Sequence, residues 1–174
     1  MTTGRVRLSK FNREDYERLI GWVESEEALM QFAGPLFTFP LTPQQLDLSL
    51  NDKNRTAFTV IDSETNLPIG HAETYLMESS VKIGRILIGN KADRNKGLGQ
   101  QIVQMLLTFS FANYNITAVE LNVFDWNTAA IKCYEKAGFT INAGKRAERK
   151  IKNEMWVALN MTIDKLKYEE MKSA

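Results

Sequence analysis

Apolar positions recur along this chain with two periods, two residues and about 3.6, and the two periods occupy separate blocks. Residues 6–8 alternate as a short edge strand. Tyr16, Leu19, Ile20 and Val23 then return at helical spacing behind a cap supplied by Asn12 or its neighbours. Residues 25–42 keep neither period, because Gly34, Pro35 and Pro40 interrupt them, yet Met30, Phe32, Leu36, Phe37 and Phe39 are too apolar for a free linker. The pattern predicts a packed loop that walls a pocket, followed by a short helix over 43–50 with Pro43 in its first turn. Strands are predicted at 56–61 and 69–77, joined by a turn, and at 81–88 after a second turn, which makes a three-stranded antiparallel meander.

The second half reads as strand, helix, strand, helix and a final pair of strands. Ile102, Val103, Leu106 and Phe109 form a stripe, widened by Met105 and Leu107, on a helix that reaches Tyr114. Residues 117–124 are a buried strand, parallel to the one before because a helix intervenes. A further helix opens at Trp126 and Asn127 and stops at Gly138, and 139–143 pairs with 155–163. The polar tail from 164 to 174 is expected to fray. The order defines an α/β (α+β) class with a central mixed, mostly antiparallel sheet flanked by helices, in a single domain spanning 1–174.

Composition narrows the function. Hydrophobic residues at 44% and charged residues at 25% describe an ordinary folded domain, and a net charge of +1 argues against nucleic acid or an anionic membrane as partner. Lys145, Arg146, Arg149, Lys150 and Lys152 cluster, and are read as a solvated turn. One cysteine, Cys133, and one histidine, His71, leave no disulfide and too few ligands for a zinc site, so no metal is expected. The first ten residues carry no apolar core of a signal, and no run approaches the roughly 18 apolar residues of a membrane span. A cytoplasmic protein is expected.

Chemistry concentrates in two stretches. Ala92-Asp-Arg94-Asn95-Lys96-Gly97-Leu98-Gly99-Gln100-Gln101 joins a buried strand to an amphipathic helix. The first N–H groups of a helix lack intrahelical partners, the dipole adds positive potential, and glycines let a phosphate approach the backbone. A Walker loop is excluded because Lys96 precedes both glycines, and the dinucleotide fingerprint because its third glycine position is Ile102. A bare strand-to-helix turn is the competing reading. In the second stretch, Asn127 and Tyr134 are seven apart and return to one helical face, with the small Ala130 between them. An N-cap role for Asn127 and a core role for Tyr134 compete with a ligand-binding face.

Arg94-Asn-Lys-Gly97-Leu-Gly99 and Asn-x-x-Ala-x-x-x-Tyr-x-x-x-Gly-Phe over 127–139 together resemble the two acetyl-CoA motifs of the GNAT superfamily of N-acetyltransferases. The spacing is most similar to the ribosomal-protein alanine and spermidine acetyltransferase branch, and the resemblance covers about residues 6–163. It implies the acyl-CoA N-acyltransferase fold with a splayed parallel strand pair, acetyl-CoA as co-substrate, and a primary amine as acceptor, on a small molecule, a polyamine or a protein N-terminus. The pyrophosphate would sit on backbone N–H groups of Arg94, Asn95, Lys96, Gly97, Leu98, Gly99 and Gln100. The pantetheine arm would pair with Leu87, Ile88 and Gly89, with Gly89 suited to a bulge. Asn127 and Ala130 would flank that arm, and Tyr134 would reach the sulfur as proton donor, with an oxyanion-stabilising N–H near Ile88.

One departure stands out. Several members of the superfamily carry a glutamate on the fourth strand as base, whereas this chain has Ile83-Gly84-Arg85. Glu73 is the replacement candidate, on a strand face shared with His71 and Tyr75, and a water chain is the other. The departure also admits a non-catalytic coenzyme A binding or sensing module. Cys133 is read as a core residue. Glu24, Glu26, Glu27, Glu73 and Glu78 could draw a cationic amine, or Arg85 could clamp a carboxylate, and the residues assign no substrate. Exposed apolar groups in 32–39 and in the last strands permit a homodimer.

Overall fold

A computed structural model describes residues 4–173. In chain order the elements are β1 (Val6–Lys10), α1 (Tyr16–Trp22), α2 (Glu26–Ala33), α3 (Pro43–Leu50), β2 (Arg55–Asp62), β3 (Pro68–Leu76), β4 (Ser80–Ile88), α4 (Leu98–Asn113), β5 (Ala118–Phe124), α5 (Thr128–Lys136), β6 (Thr140–Ile151), β7 (Glu154–Asp164) and α6 (Lys165–Ser173). The strands form one sheet in the order β1-β2-β3-β4-β5-β7-β6, antiparallel except for the β4–β5 pair.

Alternation along the strands gives each face of the sheet its own core. Phe58, Val60, Val81 and Ile83 pack with Leu98, Ile102, Val103, Leu106 and Leu107 of α4 on one face. Ala57 packs with Leu19, Leu29, Phe32 and Leu46 of α1, α2 and α3 on the other. Each fully buried Leu, Ile or Phe contributes about 1.5–3 kcal/mol, so α4 is the main anchor of the first core.

Three expectations are corrected. Residues 26–33 are not loop but α2: the Ser25 hydroxyl accepts from the Ala28 N–H at 3.1 Å, and Leu29 and Phe32, three apart, are buried. Two turns ended by Gly34 and Pro35 are too short for a clear period. Of the basic cluster only Lys152 lies in a turn, whereas Lys145, Arg146, Arg149 and Lys150 belong to β6, which pairs with β7 from Arg146↔Leu159 to Ile151↔Glu154. Since β6 is the sheet edge, its outer residues face water, and charges there oppose pairing with another chain. The tail does not fray through the described residues: α6 buries Tyr168, whose ring stacks on Phe111 at 4.6 Å and whose hydroxyl lies 3.1 Å from that of Thr108.

Two irregularities shape the middle of the sheet. β4 and β5 pair only over Ser80–Lys82 and Ala118–Glu120, after which β5 stays on β7 and β4 stays on β3. The strands splay and leave backbone groups of both open to the gap. On the other side of β4, the step from His71 to Glu73 on β3 spans Leu87 to Gly84 on β4, a bulge in which Arg85 has φ 49°. The bulge expected at Gly89 is therefore at Arg85. Gly89 has a different requirement, since a Cβ there would lie 2.0 Å from Cε2 of the Trp22 ring. Among the described residues no helix is long and apolar enough to cross a membrane.

Candidate active site

The gap between β4 and β5 opens into a groove of about 1550 Å³. One end lies at the residue 94–100 loop, the middle between β4, β5 and α5, and the other end against α1, α2 and the β3–β4 floor. Leu87, Ile88, Gly89, Arg94, Asn95, Gly97, Leu98, Gly99, Gln100, Asn127, Ala130 and Tyr134 all line it, so the structure brings the two sequence motifs to one cavity. Lys96 does not line it, and its ammonium pairs with Asp93 at 3.1 Å.

The loop end is a backbone site. Asn95 and Gly97 take left-handed conformations, φ 61° and 74°, which turn successive N–H groups toward one side. Gly97 is the N-cap of α4 and no side chain accepts from the first turn, so N–H groups of that turn are left for an anion. The Arg94 Nε donates to the Ile88 carbonyl at 3.1 Å and ties the loop to the end of β4. Gly89 donates its N–H to Ile69 on the β3 side at 2.9 Å, and by strand alternation the Ile88 N–H faces the groove. These uncommitted donors and the two-glycine cradle fit the diphosphate and amide groups of a coenzyme A thioester.

Along α5, Asn127 is both cap and wall. Its Oδ1 accepts from the Ala130 N–H at 3.3 Å, and its amide N–H groups stay available. Tyr134 packs its ring against Phe139, centroids 6.1 Å apart, and its hydroxyl has no hydrogen bond to a described residue. Burial, with a smaller contribution from Cys133, pushes the phenol up to about 12, so it stays protonated at neutral pH. Cys133 is not in the core as expected: it is half-buried on the groove wall, its Sγ 3.7 Å from an ideal Cβ at Gly99, and burial raises its pKa and keeps it a thiol.

At the far end the floor is a buried charge cluster. Glu73, 4% exposed, accepts from Arg55 Nη1 at 2.6 Å, from Arg85 Nη1 at 3.1 and 3.2 Å, and from His71 Nε2 at 3.0 Å. Burial pushes its carboxyl up, but the His71 hydrogen bond and the Arg85 and Arg55 charges outweigh this and hold it at about 2. Such a carboxylate holds almost no proton near neutral pH, so the expectation of Glu73 as base meets a group already saturated with donors. The shared strand face holds, since the His71 and Glu73 side chains meet at 3.0 Å, but only Glu73 and Tyr75 line the groove: His71 is buried between Phe11 and Phe32, at 4.5 and 5.7 Å. Of the acidic candidates, Glu24 and Glu73 line the groove, whereas Glu26, Glu27 and Glu78 do not, and Glu27 pairs with Lys152 of the β6–β7 hairpin.

Arg55, Trp22 and Arg149 also line this end, and none of the three belongs to a motif of the sequence. A signal exists for Arg55: it precedes Ala57 and Thr59 in the inward phase of β2. Trp22 carries none and Arg149 only its place in the basic cluster, because each joins the groove from an element distant in sequence.

A mixed sheet split at a parallel pair, with an uncapped helix end at one mouth of the split, gives the groove an anion-binding end and an open strand edge, the two features that a coenzyme A thioester requires. The sheet superposes on a spermidine N-acetyltransferase from Vibrio cholerae, solved with CoA and spermine, with a TM-score of 0.79, 21% identity and coverage of 95% of this chain and 98% of that one. It also superposes on an aminoglycoside acetyltransferase solved with coenzyme A and kanamycin, with a TM-score of 0.73, 21% identity and coverage of 96% and 99%. The chain belongs to the acetyltransferase (GNAT) domain family, whose model matches residues 5–140. It is similar to an N-acetyltransferase 9-like protein of Nematostella vectensis, 21% identical over 78% of this chain and 75% of that protein. It is also similar to an aminoglycoside N(6')-acetyltransferase type 1 of Klebsiella pneumoniae, 32% identical over 41% of this chain and 42% of that protein. It is an acetyl-CoA-dependent N-acetyltransferase.

Proposed function

We propose that the groove works as a two-ended channel for acetyl transfer, with the thioester entering from the loop end and a primary amine from the α1–α2 end. The observation that carries this reading is a continuous cavity from the N-terminus of α4, past Tyr134, to the β3–β4 floor. Backbone N–H groups of Asn95, Gly97, Leu98, Gly99 and Gln100 hold the diphosphate, since the Arg94 N–H is already given to the Lys91 carbonyl at 3.2 Å. Ile88 offers its N–H to the pantetheine arm or to the carbonyl oxygen on which negative charge develops during attack. Asn127 and Ala130 set the width of the channel.

A neutral amine attacks the acetyl carbonyl directly, the C–N bond forms, and collapse breaks the C–S bond. The proton of Tyr134 goes to the departing sulfur, a role matched by a phenol that is protonated at working pH and has no competing acceptor. The amine's own proton leaves through water in the wide acceptor end, since Glu73 is held at about 2. Glu73 instead anchors Arg55 and Arg85. A cytoplasmic location belongs to the same reading, supported by a single free thiol. So does a homodimer, supported by the exposed Leu36 and Phe39.

Tyr134→Phe tests the assignment. Turnover, followed as free thiol released from acetyl-CoA, is expected to fall on the order of 10²-fold or more with the Kd for acetyl-CoA nearly unchanged. Unchanged turnover removes Tyr134 from the mechanism. Binding of acetyl-CoA without thiol release on any amine would replace the enzyme by a coenzyme A sensor.

A further inference from the structure

The acceptor end has a surplus of positive charge at its floor. One buried carboxylate, Glu73, faces two guanidiniums. Arg85, 9% exposed, directs Nη1 to Glu73 and to Ser49 Oγ, the latter at 2.8 Å, and its Nε and Nη2 donate to no described residue. Phe37 covers one face of that guanidinium, its ring centroid 4.2 Å from Cζ. A face closed by an aromatic ring leaves the edge, which is the direction from which a carboxylate binds with two parallel hydrogen bonds. Arg85 lines the groove, so that edge is offered to an occupant.

The bulge puts it there. Val81 and Ile83 belong to the α4 core, whereas Leu87 packs with the α1–α3 core, so the phase of β4 changes between them. Without the extra residue, Arg85 would share the face of Val81 and Ile83 and be buried under α4. A non-glycine residue kept at φ 49° beside a cavity is a strained conformation of the kind retained where a side chain must be aimed.

The rest of this end does not cancel the charge. Glu24 pairs with Lys91 at 3.4 Å, which leaves Asp52, accepting from the Asn54 N–H at 3.0 Å, as the one further carboxylate among the described lining residues. Lys82 and Arg149 line the groove and make no ion pair among the described residues. Trp22, Met30, Phe32 and Tyr75 supply apolar wall.

We infer that the acceptor is an amine bearing a carboxylate, of the amino-acid or short-peptide type with an apolar side chain, and that Arg85 reads the carboxylate. The inference rests on the acetyl-transfer reading above and narrows it. Spermine and kanamycin, the cations in the two similar structures, would meet like charge here.

Matched acceptors test it: phenylalanine against phenylalaninamide, and glycyl-leucine against its amide, with spermidine and kanamycin as cationic controls, all followed by thiol release from acetyl-CoA. The carboxylates are expected to have kcat/KM at least on the order of 10-fold above their amides. The amide amines are less basic and lose their proton more readily, so this preference runs against intrinsic reactivity. Arg85→Gln is expected to raise KM for the carboxylates on the order of 10- to 100-fold and erase the ratio, with the Kd for acetyl-CoA unchanged. Arg85→Lys keeps the charge without the planar fork and is expected to lose part of it, which covers the case in which Arg85→Gln does not fold.

Equal or better turnover of the amides, or turnover of the cations alone, overturns the inference and leaves acetyl transfer standing. Absence of turnover with every amine sinks the acetyl-transfer reading instead. The carboxylate preference is then read by calorimetric titration of phenylalanine and phenylalaninamide into acetyl-CoA-loaded protein, where no preference for phenylalanine overturns the inference as well.

Discussion

The two ends of the groove are made of different material. The donor end is backbone: the 94–100 loop, the free first turn of α4 and the unpaired edge of β4 offer N–H groups whose positions follow from the chain's path. The acceptor end is side chain: Arg55, Glu73 and Arg85 come from three strands and meet only because β2, β3 and β4 are in register and β4 is bulged. A backbone site tolerates many side chains and needs glycine at few points, so it can be shared across a family. A side-chain site can be rewritten residue by residue, and here two guanidiniums stand over one carboxylate. On the proposed reading, substrate identity belongs to the second end and coenzyme identity to the first.

Changes confined to one end should leave the other intact, and the largest effect is expected at the acceptor floor. Glu73→Gln leaves Arg55 and Arg85 buried without their counter-charge, and breaking one side of a buried pair costs about 3–5 kcal/mol. A lower Tm is expected, with acetyl-CoA still bound by the protein that remains folded. An unchanged Tm would mean that the cluster is more hydrated than its burial indicates.

At the donor end, Gly99→Asp places an anion in the first turn of α4, where the nearest neighbour of the new Cβ is Cys133 Sγ at 3.7 Å. Repulsion of the diphosphate and loss of the helix-end site are expected to weaken acetyl-CoA on the order of 10²-fold, with little change in Tm. Calorimetric titration and a melting curve separate the two. Equal weakening by Gly99→Ala would show that space, not charge, is what the loop supplies.

The smallest effect is a pH dependence. Glu73 is held at about 2, below its ordinary 4.5, so it adds stability that is complete above pH 4.5 and is lost as pH falls toward 2. Wild-type Tm should therefore decline through that window more steeply than the Tm of Glu73→Gln. Parallel curves would mean that other carboxylates carry the acid sensitivity.

Much of the donor end is legible in the sequence, because it is local. Gly97, Gly99, Asn127, Ala130 and Tyr134 lie in two short motifs whose spacing encodes a helix end and a helix face, and the groove contains all of them. Arg85 stands out in the sequence as the residue in the neighbourhood where a glutamate is common in the superfamily. Its destination is not legible there. Alternation alone sends Arg85 into the α4 core, and only the bulge reverses it. Glu73 is marked by its strand face, but its partners lie 18 and 12 residues away in sequence, and they turn a candidate base into an anchor. The α2 helix and the long β6–β7 hairpin are hard to read for a related reason: a two-turn helix and a solvated edge strand bury too few residues to print a period.

The sequence by itself determined the order of the strands and of the helices α1, α3, α4 and α5, the anion-binding turn and the α5 face, since these depend on periodicity and on contacts within a few residues. Tertiary structure alone decided where β4 leaves β5, which way Arg85 points, and how strongly Glu73 holds its charge. Those follow from burial and from electrostatic contacts between distant strands, and both are properties of the packed sheet rather than of any segment of the chain.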